Sequence, residues 1–142
     1  MNWKRWLLPL LLSATALAFQ YLPESGVLNI TTHSAGEVLE AYENQRSGLW
    51  VGVSGEVVRI MKDDNLGSRH QRFILRLENG HTVLVSHNID LAPRLPLQEG
   101  DQPELRGRYE WNHKGGVIHW THHDPKGQLP GGWITLKGRK YQ

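Results

Sequence analysis

The stretch that decides the fold is Leu49 to Met61, LWVGVSGEVVRIM. It is rich in valine and carries Gly52 and Gly55 inside an otherwise extended pattern. A glycine within a long strand marks a bulge or a sharp bend. This reads as one long bent strand. Downstream, residues 70–77 (HQRFILRL) alternate, with Gln71, Phe73, Leu75 and Leu77 on one face and His70, Arg72, Ile74 and Arg76 on the other. Glu78 to His81 is a hairpin turn centred on Asn79-Gly80, and residues 82–87 (TVLVSH) return. A connection with Pro93 and Pro96 leads through Leu97-Gln98-Glu99-Gly100-Asp101 into residues 103–111, PELRGRYEW. There Leu105, Tyr109 and Trp111 oppose Glu104, Arg106, Arg108 and Glu110. After a second turn, His113 to Gly116, comes VIHWTH, residues 117–122. Beyond Lys126, Trp133, Ile134 and Leu136 predict a partly packed tail. A long bent strand, a hairpin, a long connection and a second hairpin give an all-β fold: a small OB-like barrel of five strands. A small β-sandwich or an SH3-like barrel is the alternative.

Upstream of the strands, Ser34 and Glu37 have capping-box spacing, and Val38, Leu39 and Tyr42 form an apolar stripe ended by Ser47-Gly48. One short N-terminal helix of about 11 residues is expected. Residues 19–33 read as a linker, so residues 34–142 form the single domain. Residues 1–18 carry Lys4-Arg5, an apolar run and small-x-small positions at Ala14 to Ala18, the pattern of a secretory signal peptide. The expected location is therefore exported, periplasmic or extracellular, with no stable membrane span after signal cleavage. Lys4 and Arg5 account for the formal net charge of +2, leaving 14 basic and 14 acidic residues in the mature part. Bulk charge therefore gives no support to a polyanion partner. The absence of cysteine removes thiol catalysis and thiolate zinc sites.

Three connecting regions carry an excess of functional side chains: KDDNLGSRHQ (62–71), SHNIDLAPR (86–94) and YEWNHKGGVIHWTHHDP (109–125). The 1–2 and 4–5 loops of an OB barrel border its binding face. The motifs Asp63 to Phe73, His87 to Arg94, Gly107 to Pro125 and Gly132-Trp133 resemble a family of small exported bacterial proteins of unknown function. The resemblance spans about residues 50–135. It implies an exported β-rich domain and supplies no activity. Where members of that family often have His-Pro before the late Gly-Trp, this chain has Leu129-Pro130.

Three chemistries fit these clusters. A hydrolase, most plausibly a phosphodiesterase or nuclease, would draw on His70, His87 and His119 as bases, with Asp64 orienting. A divalent metal such as zinc would need a bend at His122 plus His87 or His70, because His119 and His123 lie about 13 Å apart on an extended strand. A binding module for an anionic or sugar-type polymer, an oligonucleotide or an oligosaccharide, would use Arg69, Gln71, Arg72, Asn88, Arg94, Glu110, Asn112, Trp120, His122 and His123. An interaction module pairing through an exposed strand edge is a third class. Binding is the leading reading. Each residue also has a structural reading. Asp63, Asp64, Asn65 and Gly67 suit an ordinary loop, and His87-Asn88 and Asp90 suit caps of the turn after the third strand. Trp111, Trp120 and Trp133 suit the core. His81, His113 and the basic tail suit solvent.

Overall fold

A computed structural model describes residues 30–142, with side chains from Ser34 onward. The expected signal peptide, and the linker up to residue 29, lie outside the described residues. The elements are α1 (Ile30–Glu43), β1 (Leu49–Ile60), β2 (His70–Leu77), β3 (Thr82–Asn88), β4 (Glu104–Glu110), β5 (Val117–His119), β6 (Trp133–Leu136) and β7 (Arg139–Tyr141). The helix starts one turn before the expected cap. Ser34 therefore lies buried inside it rather than at its end.

The strands run β1-β2-β3-β5-β4 around the barrel, and β1 closes it by pairing with β4. β3 and β5 pair in parallel; the other barrel pairs are antiparallel. This is the OB order read from the sequence. The stretch 49–61 closes the ring by serving two neighbours. Leu49 to Ser54 pair with β4, and Gly55 to Ile60 pair with β2. The hand-over falls at Gly55, where a Cβ would sit 2.3 Å from the Arg76 carbonyl oxygen. Only a residue without one lets the two strands approach there. A bulge between Val57 and Arg59 adds further bend.

Val51, Val53, Val57, Phe73, Leu75, Val85, Leu105, Tyr109 and Ile118 point inward and fill the barrel. Helix α1 covers one end with Ala35, Val38 and Ala41. Two side chains fasten it there. Asn79 Nδ2 of the first hairpin donates to Ala35 O (2.9 Å), and Trp111 Nε1 donates to Tyr42 O (3.1 Å). The first turn is a tight Leu77–Gly80 turn with Gly80 in the left-handed region.

The structure adds two strands to the five expected. β6 pairs with β4 at Glu104 to Arg106, and β5 pairs with β4 at Arg108 to Glu110. The two share one edge of β4, so β5 and β6 act as one barrel strand interrupted by residues 120–132. The interruption begins at Trp120, whose φ of +56° ends β5. A bulky residue in that region is strained. The expected strand 117–122 is thus only three residues long. The alternation assumed through His123 fails after His119, and Thr121 turns inward to full burial.

Gly132 brings the chain back. A Cβ there would lie 2.2 Å from both Arg106 O and Trp120 O. Gly132→Ala is expected to lower unfolding free energy by about 2–4 kcal/mol. Gly36→Ala, in open space on α1, should raise it by about 0.5–1 kcal/mol. Urea denaturation of both variants checks the contrast.

Candidate functional site

The alternation of β3 places His87 on the same face as Val83 and Val85, and the structure buries it completely. Both ring nitrogens are engaged. Nε2–H donates to Pro93 O (3.0 Å), and Nδ1 accepts from the Thr121 hydroxyl (2.8 Å). Burial holds its pKa below the usual imidazole value, and the nearby His122 and His70 push the same way. A neutral ring with no free nitrogen is a brace. It ties the end of β3 to the 89–96 connection and to the 120–132 loop. Gln71, one strand away in register with His87, works similarly: its amide clasps Leu95, donating to the carbonyl (2.8 Å) and accepting from the N–H (2.9 Å).

Several other residues singled out from the sequence also hold loops. Asp64 pairs with His70 through the backbone, and its carboxylate accepts from Leu66 N–H. Asn88 Oδ1 accepts from the N–H groups of Asp90 and Leu91, so of the expected cap residues it is Asn88 that caps that turn. Asp90 instead accepts from the Arg69 backbone and guanidinium, which hold its carboxyl below the ordinary range. Arg94 pairs with Asp63. Asn112 Oδ1 accepts from Lys114 and Gly116 N–H in the second hairpin. Asp124 accepts from the N–H groups of Leu129, Lys126 and Gln128, which keeps it ionised and the 120–132 loop folded. His81, expected in solvent, is half-buried; it bonds Gly115 O (2.8 Å) and packs on the Tyr42 ring.

Fewer bonds engage His70, His122, His123 and His119; His122 is buried, while His70, His119 and His123 reach the surface. His70 donates from Nδ1 to Ser68 O (2.8 Å), and His122 donates from Nδ1 to His123 O (2.6 Å), leaving each Nε2 without a protein partner. His123 itself is exposed. Trp120 packs on His122, with ring centroids 5.3 Å apart. His119 Nε2 lies 3.4 Å from Glu110 Oε1, on which Arg108 Nε also converges at 3.1 Å. That Arg108 contact lacks hydrogen-bond alignment, so its buried Nε is unsatisfied. Burial lowers the His119 pKa; Glu110 opposes the shift, while Arg108 and His70 add to it. His87 lies near His70 and His122, and His119 near His70, but these rings stand on two sides of the barrel wall. His87 is inside; His70 and His119 are on the outer surface. Among the described residues no group of three or more His, Asp or Glu could hold a metal ion.

On the same outer surface lies a groove of about 230 Å³. Ile74 and Leu84, direct cross-strand partners, are joined there by Met61 after β1 and by Asn112 of the second hairpin. Arg72 and Lys114 supply its cations. Arg72 donates only its Nε to Lys62 O (3.1 Å), leaving the rest of the fork open. Arg72 and Asn112 were legible as candidates. Met61, Ile74, Leu84 and Lys114 were not singled out, although Ile74 on the arginine face of an alternating strand was the available signal.

The fold and this face define a small closed β-barrel of OB order with a partly apolar, cation-edged groove between its two border loops. A family model described as "Protein of unknown function (DUF3465)" matches residues 24–142, and the chain belongs to that family. Among curated proteins none matches the sequence. No helix among the described residues is long and apolar enough to cross a membrane.

Because His87 is neutral when folded, the unfolded chain binds more protons as pH falls below about 6.5, so stability declines in that direction. His119, also lowered, adds to the same slope. Urea midpoints measured from pH 8 down to pH 5 should fall steadily below pH 6.5. His87→Gln should be about 1–2 kcal/mol less stable at pH 8 and show a shallower acid decline.

Proposed function

We propose that this protein is an exported binding module of the cell envelope, periplasmic or extracellular, and that its outer barrel face holds an anionic polymer, an oligonucleotide or an acidic polysaccharide. One observation carries the reading: an apolar floor of Ile74 and Leu84 with Arg72 and Lys114 beside it, placed between the loops that border OB binding faces. Bases or sugar rings can lie on the floor while the cations meet phosphates or carboxylates. The charge of the whole mature chain is near zero. On this face, however, Arg72, Arg108 and Lys114 with His70 and His119 outnumber Glu110. A hydrolytic role for His87 lacks support from the geometry, since both its nitrogens are already bonded within the barrel.

A fluorescently labelled single-stranded oligonucleotide and a uronic-acid polysaccharide, titrated across salt concentrations, test the proposal. Affinity should fall as salt rises. For the oligonucleotide, Lys114→Ala should reduce the log–log salt slope by about 0.7, the share of one phosphate contact. Protonation of His119 adds positive charge, so affinity should rise as pH drops below the ordinary imidazole range. Absence of binding to either polymer at low salt would sink the proposal.

A further inference from the structure

A second cleft, of about 440 Å³, opens on another part of the barrel, where α1 meets β1, β4 and β6. Its walls are Trp50 and Trp133, both outward-facing and only half-buried. The register explains the gap between them. Gly52 and Trp133 flank Arg106 on the two sides of β4, and Trp50 lies two residues along β1 from Gly52. Gly52 has no side chain, so the floor between the indoles stays open. Glu37 of α1 and Glu104 of β4 complete the lining with Arg106.

Four exposed arginines are held by carboxylates, Arg46 by Glu40, Arg69 by Asp90, Arg76 by Glu56 and Arg94 by Asp63, whereas others, such as Arg59, are not so held among the described residues. Arg106, Glu37 and Glu104 make no such pair among the described residues, and neither do the indole N–H groups of Trp50 and Trp133. Two aromatic walls, two acceptor carboxylates and one donor fork thus converge on one space with their bonding capacity unspent. The volume is that of an ordinary small-ligand site.

We infer that this cleft is a saccharide site, taking one or two neutral sugar rings. The lining has one more negative charge than positive, which disfavours an anion. A cation is disfavoured as well, because Lys140 Nζ already sits 5.0 Å from the Trp133 ring centroid and Arg106 stands between the walls. A neutral polyhydroxylated ring satisfies both constraints. Its C–H faces carry slight positive charge and pack on the electron-rich indole faces. Its hydroxyls can donate to Glu37 and Glu104 and accept from Arg106 and the indole N–H groups. The groove lined by Ile74 and Leu84 shares no residue with this cleft, so the inference is independent of the anionic-polymer reading.

The test is a titration of the ¹⁵N-labelled protein with chitotriose, cellotriose and maltotriose, read on the indole N–H signals. Trp50→Phe and Trp133→Phe assign the two of interest. At least one trisaccharide should shift both signals and leave Trp111 and Trp120 unmoved. Glu104→Gln and Arg106→Gln, exposed changes that spare the core, should each weaken that binding about 5- to 10-fold. Lys114→Ala should leave it unchanged. The inference is overturned if no trisaccharide moves the Trp50 and Trp133 signals at about 10 mM, a concentration that would reveal even weak binding. It is equally overturned if tetramethylammonium moves them at lower concentration than any sugar, or if the Glu104 and Arg106 variants bind as the parent does.

Discussion

A polar group sealed inside a barrel must find partners there, and His87 is where this chain meets that demand. An unbonded imidazole in that position would carry a penalty of about 1–3 kcal/mol. The carbonyl of Pro93 and the hydroxyl of Thr121 remove it. The Thr121 contact accompanies an early end to β5, with Trp120 in the left-handed region and residues 120–132 intervening before β6 resumes the edge of β4. The short β5, the loop held by Asp124 and the close passage at Gly132 accompany that inward turn.

The same demand explains why residues that look chemical are mostly structural. Each of the three polar motifs contains a long irregular segment whose backbone groups would otherwise lack partners. Asp64, Asn88, Asn112 and Asp124 supply acceptors for neighbouring N–H groups, as Asx residues do in turns. Gln71 does so from inside the barrel for Leu95. Exposed pairs such as Arg69–Asp90 add little stability individually. Their effect is to fix one loop against another, keeping the border of the outer face in one shape.

The barrel strands were legible because each has one face in the core and one in solvent, which writes period two into the residues. The alternation around His87 and Gln71 also placed them on the inward face, where the structure buries both. The break at Trp120 was not legible, because no local signal marks a tryptophan for positive φ; the contact that holds it is 34 residues away in sequence. β6 and β7 were only partly legible. Trp133, Ile134 and Leu136 showed apolar character, but four- and three-residue strands give too few alternations to count. The cleft walled by Trp50 and Trp133 was hidden for a different reason: it joins residues 83 positions apart, and only the register across β4 makes them neighbours.

Acid acts on this molecule in two opposing senses, and the wall of the barrel separates them. Outside, protonating His119 beside Arg108 strengthens the positive character of the face. Inside, protonating His87 places a charge where water cannot reach and where His70 and His122 already disfavour it. Both pKa values are lowered by burial, so both events are held back to the acid side of the usual imidazole range. Stronger attraction for an anion would therefore arrive together with a weaker hold on the 120–132 loop. A bound polymer could offset the second effect only through groups it touches on the outer surface, since His87 is sealed from it. The pH at which the face is most cationic is thus not the pH at which the loops framing it are most firmly held, and any ligand of this face works between those two limits.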